Sequence, residues 1–165
     1  MTDRDLIDRL RAWLAGAIVD AAIRAIDGRP AAVGWATVDL DRAASELGTA
    51  LGIAADRFLD AAPSPSLGAR CRVAADAIAG GVTLVLLEPA TEARLAATLA
   101  RHDEGPAAVW LAVADVPAAL DKLRLAGVTV GSEDQGPLGP ERFLFGGPIH
   151  GPYRLLLGVA GTIHA

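Results

Sequence analysis

The sequence has few of the residues that mark several common protein classes. A single cysteine, Cys71, among 165 residues excludes a disulfide within the chain and a zinc site built from several cysteines. Fifteen lysines and arginines against 20 acidic residues give a net charge of −5, so no basic stripe indicates nucleic-acid binding. No apolar run approaches the ~20 residues of a membrane-spanning helix, and Asp20 and Arg24 interrupt the first apolar stretch. We therefore expect a cytoplasmic protein with neither a nucleic-acid nor a membrane partner.

Aromatic residues are also scarce, at 4% of the chain, although 52% of it is hydrophobic. Much of that fraction is alanine, which buries little surface, so the core must depend on leucine, isoleucine and valine. A chain of this length fits one domain, or two small half-modules packed as one. The hydrophobic content excludes a disordered chain.

The N-terminal segment has the periodicity of one long amphipathic helix, from about Asp3 to Ile26. Its apolar residues recur at helical spacing; they include Leu6, Leu10, Trp13 and Leu14. Gly28 and Pro30 end the pattern. We expect this helix to be structural and to pack against the body of the protein or a second subunit.

The rest of the chain contains an internal repeat. A strand beginning at Ala32 leads to Asp39 and a helix, and a strand beginning at Ala108 leads to Asp115 and a helix at the same spacing. The predicted strands are 31–37, 57–61, 70–77 and 82–88 in the first half, and 107–113, 128–130, 141–145 and 153–159 in the second. Each half therefore reads as a βαβββ module. The predicted domains are the N-terminal helix 1–29, the first module with its connector helix 30–104, and the second module 105–165.

Four motifs in this order make the resemblance to a known family specific. Val38–Ala44 and Val113–Ala119 resemble the first strand end and helix start of vicinal oxygen chelate (glyoxalase/bleomycin-resistance) modules, and Leu84–Pro89 and Gly151–Leu155 resemble their last strands. The resemblance covers residues 31–160. It implies an α+β fold in which two βαβββ modules form a curled mixed β-sheet around a central cavity, with an extra N-terminal helix.

Metal-dependent members of that family hold a divalent cation in the cavity, with His or Gln on the first strand of each module and Glu on the last. The corresponding positions in this chain are Ala32, Val85, Ala108 and Leu155. None of these side chains has a lone pair to donate. The resemblance therefore predicts a member with no metal and no other cofactor.

Strand alternation predicts which residues face the cavity instead. The first strands contribute small residues, Val85 and Leu87 lie on the fourth strand, and Trp110 and Tyr153 add aromatic faces. We predict that an apolar ligand site is formed by Trp110, Tyr153, Val85, Leu87, Ala108, Leu155, Gly34 and His150. The alternative is that side chains fill this interior as a plain core. Trp35 and Glu88 have the opposite parity and should face away from the cavity.

The three histidines differ in their surroundings. His102 ends a helix in a charged connector and should be solvated, and His164 lies in the terminal tail. His150 lies in the Gly- and Pro-rich turn before the last strand, where loop residues often contact ligands. It is therefore included in the predicted site, although a solvated turn histidine is the plainer interpretation.

Three functions remain open from the sequence. The first is a metal-free module that binds a hydrophobic or aromatic small molecule. The second is a metal-free isomerase or lyase with acid–base side chains, for which the candidates are His150, Glu88, Tyr153, Arg72 and Arg142. The third is an interaction protein that assembles through its N-terminal helix. We expect a homodimer, and the two modules could pair within one chain or across the dimer.

Overall fold

The computed structural model describes residues 3–78 and 80–158, so His164 and the end of the predicted last strand lie outside the described residues. The helices are α1 Asp3–Ala17, α2 Ala21–Ala25, α3 Leu40–Leu51, α4 Arg94–His102 and α5 Val116–Leu125. The strands are β1 Arg29–Ala36, β2 Phe58–Ser64, β3 Ala69–Ala74, β4 Thr83–Pro89, β5 Gly105–Ala112, β6 Asp134–Gly136, β7 Gly139–Phe143 and β8 Tyr153–Leu157.

The strands form one eight-stranded sheet in the order β2-β3-β4-β1-β5-β8-β7-β6. Each first strand pairs in parallel with the last strand of its own module, and β1 pairs antiparallel with β5. The β2 and β6 edges approach each other, so the sheet curls until it is nearly closed. The predicted fold of two βαβββ modules in a curled mixed sheet is confirmed. The modules pair within one chain.

Both helices that follow a first strand begin as their sequences predict. Asp39 accepts a hydrogen bond from the Arg42 amide at the start of α3, and Asp115 accepts one from the Ala118 amide at the start of α5. These are N-caps, in which a short carboxylate satisfies an amide that has no partner within the helix. The repeated sequence pattern of a strand, an aspartate and a helix therefore corresponds to a repeated structural unit.

Side-chain alternation divides the core into two layers. Val33 and Trp35 face the outer layer, where the sheet is covered by α1, α2, α3 and α5. Ala32 and Ala36 face the inner layer, on the concave side of the sheet. The predicted orientation of Trp35 away from the interior is thus correct, because successive side chains of a strand point to opposite faces.

The N-terminal region is two helices and not the single helix predicted to Ile26. The Asp20 side chain accepts a hydrogen bond from the Ala22 amide at 2.7 Å and so caps α2. Asp20 also pairs with the buried Arg154 at 3.1 Å, which fixes the break after α1. Leu6, Leu10 and Leu14 are buried, whereas Trp13 is half-buried.

Several strand boundaries differ from the prediction. The strand predicted at 128–130 makes only an isolated bridge between Val130 and Leu144, and β6 lies at Asp134–Gly136, where no strand was predicted. The left-handed φ of 115° at Gly139 allows the tight connection between β6 and β7. On the opposite edge, β2 continues to Ser64 although Pro63 precedes that residue, which an edge strand tolerates. Within the described ranges no helix has the length and apolarity that crossing a bilayer requires.

Candidate functional site on the concave face

The four positions that carry metal ligands in related proteins come together in the interior. Gly34 lies opposite both Val85 and Ala108, and Trp110 lies opposite Leu155. Ala32, Val85, Ala108 and Leu155 are all fully buried in the inner layer. They have no side-chain oxygen or nitrogen, and the described residues contain no other group of three or more metal-ligating side chains. The residues present therefore do not fit the metal of the family.

The interior around these positions is filled with side chains. A Cβ added at Gly34 would lie 2.6 Å from Leu87 Cδ1 and 2.9 Å from Trp110 Cζ3, so the absence of a side chain admits these larger neighbours. Trp110 is completely buried. The small residues of β1 and β5 thus make room for Leu87 and Trp110 and leave no empty space beside Gly34. Whether Trp110, Val85, Leu87, Ala108, Leu155 and Gly34 contact a ligand stays a prediction.

The connector helix α4 covers part of this interior. Leu95 on α4 is fully buried in the inner layer. Thr98 Oγ1 lies 2.7 Å from the hydroxyl of Tyr153, which also donates to the Arg94 carbonyl at 3.1 Å. The first module's connector is therefore bound to the last strand of the second. No sequence pattern predicts this role, because the apolar face of a short helix does not indicate which layer of the core it packs against.

A buried carboxylate lies among these apolar residues. Trp110 Nε1 donates to one oxygen of Glu141 and Ser64 Oγ donates to the other, each at 2.7 Å. Burial raises the pKa of Glu141, whereas these two hydrogen bonds act in the opposite direction. A Cβ at Gly136 would overlap the carboxylate, so glycine is needed there. The group joins strands β2, β5 and β7 across the closing edge of the sheet.

The sequence analysis did not identify Glu141 as a site residue. The sequence feature that could have identified it is the two-residue spacing from Phe143, which places both side chains on the same, concave face of β7. Glu141 pairs with Leu157 of β8, and Phe143 pairs with Leu155. A charged residue in phase with an apolar strand face indicates a buried polar contact. The donors could not be anticipated, since Ser64 lies on a distant edge strand.

Beside α4, the inner layer opens into a cleft of about 220 Å³, which we call the aromatic cleft. The cleft is lined by Arg94, Phe143, Phe145, Pro152 and Tyr153, together with residues 144 and 146–149. The Arg94 guanidinium carbon lies 4.0 Å from the Phe143 ring centroid and 5.4 Å from that of Phe145. Phe145 is 40% exposed and Ile149 is 84% exposed, so the cleft has an apolar rim. Of the predicted ligand residues, Tyr153 lies here.

His150 lies at a second cleft, of about 320 Å³, on the other side of the same turn. We call this the α1 cleft, because Arg9 and Trp13 of α1 form one wall. Thr98, His102, Pro106, Ala107 and Pro152 are among its other residues. The His150 and His102 rings meet edge to face, with centroids 6.2 Å apart. The turn that carries His150 therefore separates two clefts.

The remaining acid–base candidates are engaged elsewhere. Glu88 accepts a hydrogen bond from the Leu40 amide and pairs with Arg70, on the face predicted for it. Arg72 pairs with Asp41 and Asp60. Arg142 donates to the Gly131 carbonyl. None of Glu88, Arg72 and Arg142 lines either of the two clefts.

Comparison with known proteins agrees with this architecture. Residues 32–145 match the family model described as the Glyoxalase/Bleomycin resistance protein/Dioxygenase superfamily. A search of curated proteins finds no match. The helices α1 and α2 lie outside the matched residues.

Solved structures with the same fold include methylmalonyl-CoA epimerases. The enzyme from Mycobacterium tuberculosis is 23% identical over 80% of this chain and 87% of that chain, with a TM-score of 0.65. A variant of the Streptomyces coelicolor enzyme in complex with 2-nitronate-propionyl-CoA is 26% identical over 78% and 94%, with a TM-score of 0.61. A hypothetical protein from Bacillus halodurans C-125 is 18% identical over 78% and 92%, with a TM-score of 0.61.

Proposed function

The chain belongs to the glyoxalase/bleomycin resistance protein/dioxygenase superfamily, and from that premise we propose that it binds a small hydrophobic or aromatic molecule without a metal ion. The observation that carries the proposal is the aromatic cleft at the junction of the two modules. Three aromatic rings and a guanidinium line it, and an exposed isoleucine borders it.

The cleft has the chemistry that a flat apolar molecule requires. Phe143 and Phe145 meet edge to face with ring centroids 5.0 Å apart, and Phe145, which is 40% exposed, leaves ring surface for a further aromatic group. Arg94 donates to the Ser66 carbonyl at 2.8 Å and is thereby held over both rings. At about 220 Å³ the cleft lies below the usual ~300–1,000 Å³ of ligand pockets, which favours a ligand of a single ring.

The predicted ligand residues take different parts in this proposal. Tyr153 contacts the ligand, and His150 borders the neighbouring cleft. The other six, Trp110, Val85, Leu87, Ala108, Leu155 and Gly34, form the packed floor behind Tyr153 and Phe143. Because the side chains of these residues other than Gly34 are close-packed against Phe143 and Tyr153 in one buried cluster, they hold the aromatic residues of the cleft in place.

Isothermal titration calorimetry with the neutral single-ring probe 4-ethylphenol tests the proposal. We expect saturable binding that a chelator leaves unchanged. Phe145→Ala should weaken it by about tenfold, which corresponds to ~1.4 kcal/mol. Leu125→Ala is the control, because Leu125 is 89% exposed and lies away from the cleft. Equal affinity of the Phe145→Ala variant and the wild-type protein would contradict the proposed site.

A second candidate function is a metal-free isomerase or lyase, and similarity to methylmalonyl-CoA epimerases favours an isomerase. Of the acid–base candidates, His150 lies at the α1 cleft and Tyr153 at the aromatic cleft, whereas the others line neither. Incubation with methylmalonyl-CoA in heavy water distinguishes the two functions. Enzyme-dependent exchange of the α-proton for deuterium would establish the isomerase and displace the binding function.

The homodimer and the cytoplasmic location stay proposals from the sequence. Burial raises the pKa of the Cys71 thiol to about 12, so this cysteine stays protonated and unreactive, as a reducing compartment allows. The mass of the purified protein in solution tests the dimer, and a monomer at all accessible concentrations would exclude it.

A further inference from the structure

The α1 cleft contains residues that the family region does not supply. Arg9 and Trp13 come from α1, which precedes the matched residues 32–145. The opposite wall comes from α4, the start of β5 and the turn around His150. From this arrangement we propose that the α1 cleft binds a small aromatic carboxylate. The site is separate from the aromatic cleft and goes beyond the proposed function.

Arg9 is the group that can hold the carboxylate. It is exposed and forms no ion pair within the described part of the chain, and its guanidinium carbon lies 5.9 Å from the Trp35 ring centroid. At this distance the guanidinium makes a cation–π contact with Trp35, and no acceptor among the described residues takes a hydrogen bond from it. A planar guanidinium with free N–H groups matches a carboxylate in bidentate geometry.

The acidic residues of the cleft do not cancel this charge. Burial acts to raise the pKa of Glu104, but hydrogen bonds from Arg42, Thr37 and the Val38 amide hold it at about 2. Its negative charge is therefore neutralised by Arg42, on the side away from the cleft. Asp103 is exposed, so water and salt screen its charge.

His150 supplies a second donor. Its Nδ1 is buried and has no hydrogen-bond partner, while the half-buried ring lines the cleft. A hydrogen on Nδ1 would be buried without an acceptor, so the neutral ring places its hydrogen on Nε2. That N–H is then free to donate a hydrogen bond to an acceptor in the cleft. The edge of the His102 ring lies beside it.

The remaining walls suit a ring. Trp13 is half-buried and presents part of its indole, and Pro106 and Pro152 add apolar surface. The volume of about 320 Å³ lies at the lower end of ligand pockets, which begin near ~300 Å³. One ring with a carboxylate on a short stem fits the combination of an indole face and a guanidinium.

Quenching of Trp13 fluorescence by 4-nitrobenzoate tests the inference, with 4-nitrobenzamide as the uncharged analogue. The full-length protein should show saturable quenching by the carboxylate, and the Trp13→Phe variant should lose the part of that signal that comes from Trp13, which lines the cleft. Arg9→Gln should weaken binding by about tenfold or more, and unfolding is not expected since Arg9 is exposed. Arg11→Gln is the matched control; Arg11 lies on the same helix and pairs with Asp8.

The outcomes separate this site from the aromatic cleft. Phe145→Ala should leave the binding of 4-nitrobenzoate unchanged, because Phe145 lines only the other cleft. Three results would overturn the inference: no saturable quenching up to ~10 mM, above the millimolar range of weak binding, equal affinity for the amide, or unchanged affinity in Arg9→Gln. Each of them leaves the proposed function of the aromatic cleft standing.

Discussion

Glu141 is a carboxylate in a position where a charge is costly. It is completely buried, and its oxygens accept hydrogen bonds only from Trp110 and Ser64 among the described residues. Two neutral donors replace part of the water that the carboxylate loses, but they bring no opposite charge. The titratable groups that interact electrostatically with Glu141 are Asp134 and the buried Cys71, and neither is a cation.

The pH dependence of stability should reveal this group. Because burial raises the folded-state pKa of Glu141, its contribution to stability is complete below the pKa of an unfolded glutamate and is lost as pH rises through the raised value. Glu141→Gln does not titrate, so the variant should lose less stability than the wild-type protein as pH rises. Melting temperatures measured across a pH series check this. Glu92→Gln, on an exposed side chain, should keep the wild-type profile.

The hydrogen bond from Trp110 should be measurable by removing its donor. Trp110→Phe leaves the carboxylate with Ser64 alone, and an unsatisfied buried group costs about 1–3 kcal/mol. The smaller ring also leaves a cavity at this fully buried position, which adds its own cost. Denaturant unfolding of Trp110→Phe, Glu141→Gln and the double variant gives the coupling between the two residues. Effects that simply add would show that the Nε1–Oε2 contact contributes nothing to stability.

At the scale of elements, α4 is the part of the chain that closes the concave face. Its buried residues, Leu95 and Thr98, contact the interior and the last strand. In many curled sheets this face is open to ligand, whereas here the connector occupies part of it. The space left at the two sides of the turn before β8 forms the aromatic cleft and the α1 cleft.

Truncating the buried leucine of α4 should loosen this cover. Leu95→Ala removes a fully buried side chain, so we expect a loss of about 2–5 kcal/mol in the free energy of unfolding. Leu125→Ala makes the same change on α5 at an exposed position and should stay within about 0.5 kcal/mol of wild type. Chemical denaturation checks both variants, and similar losses in the two would mean that α4 does not seal the interior.

At the scale of the whole molecule, the N-terminal helices complete the outer layer. Leu6, Leu10 and Leu14 of α1 join the same cluster as Val33 of β1 and Leu47 of α3. Deleting residues 1–27 would expose that apolar surface to water. We expect aggregation or a lower melting temperature, measured by light scattering and thermal unfolding. A truncated protein with unchanged mass and melting temperature would show that these helices add nothing to the fold.

The filled interior also makes a prediction about metal content. The resemblance assigns Ala32, Val85, Ala108 and Leu155 to the family's metal-ligand positions, and all four are buried apolar side chains, so we predict that the purified protein contains no stoichiometric divalent metal. Elemental analysis after purification without chelator or affinity tag measures this. Stoichiometric zinc, nickel, manganese or iron that disappears on substitution of a concave-face residue would contradict it.

The sequence by itself determined the two modules. The repeat of strand, Asp and helix predicts both βαβββ units because capping and strand alternation are local properties, read within a few residues. The same alternation places Trp35 outside and Trp110 inside, as the structure has them. The family resemblance, and not a local pattern, assigns four apolar residues to the positions where related proteins place metal ligands, and the absence of a metal stays a prediction.

Only the tertiary structure decided what fills the interior and where open space remains. Ser64 and Glu141 meet because the two sheet edges curl together. Helix α4 packs inward because its side chains contact Tyr153 and the inner layer of the core. Arg9 and His150 share a cleft although nearly the whole chain separates them. Such contacts depend on shape and on the packing of distant side chains, which no periodicity records. The volume of a cleft is likewise the remainder after all side chains have packed, and it exists only in the folded molecule.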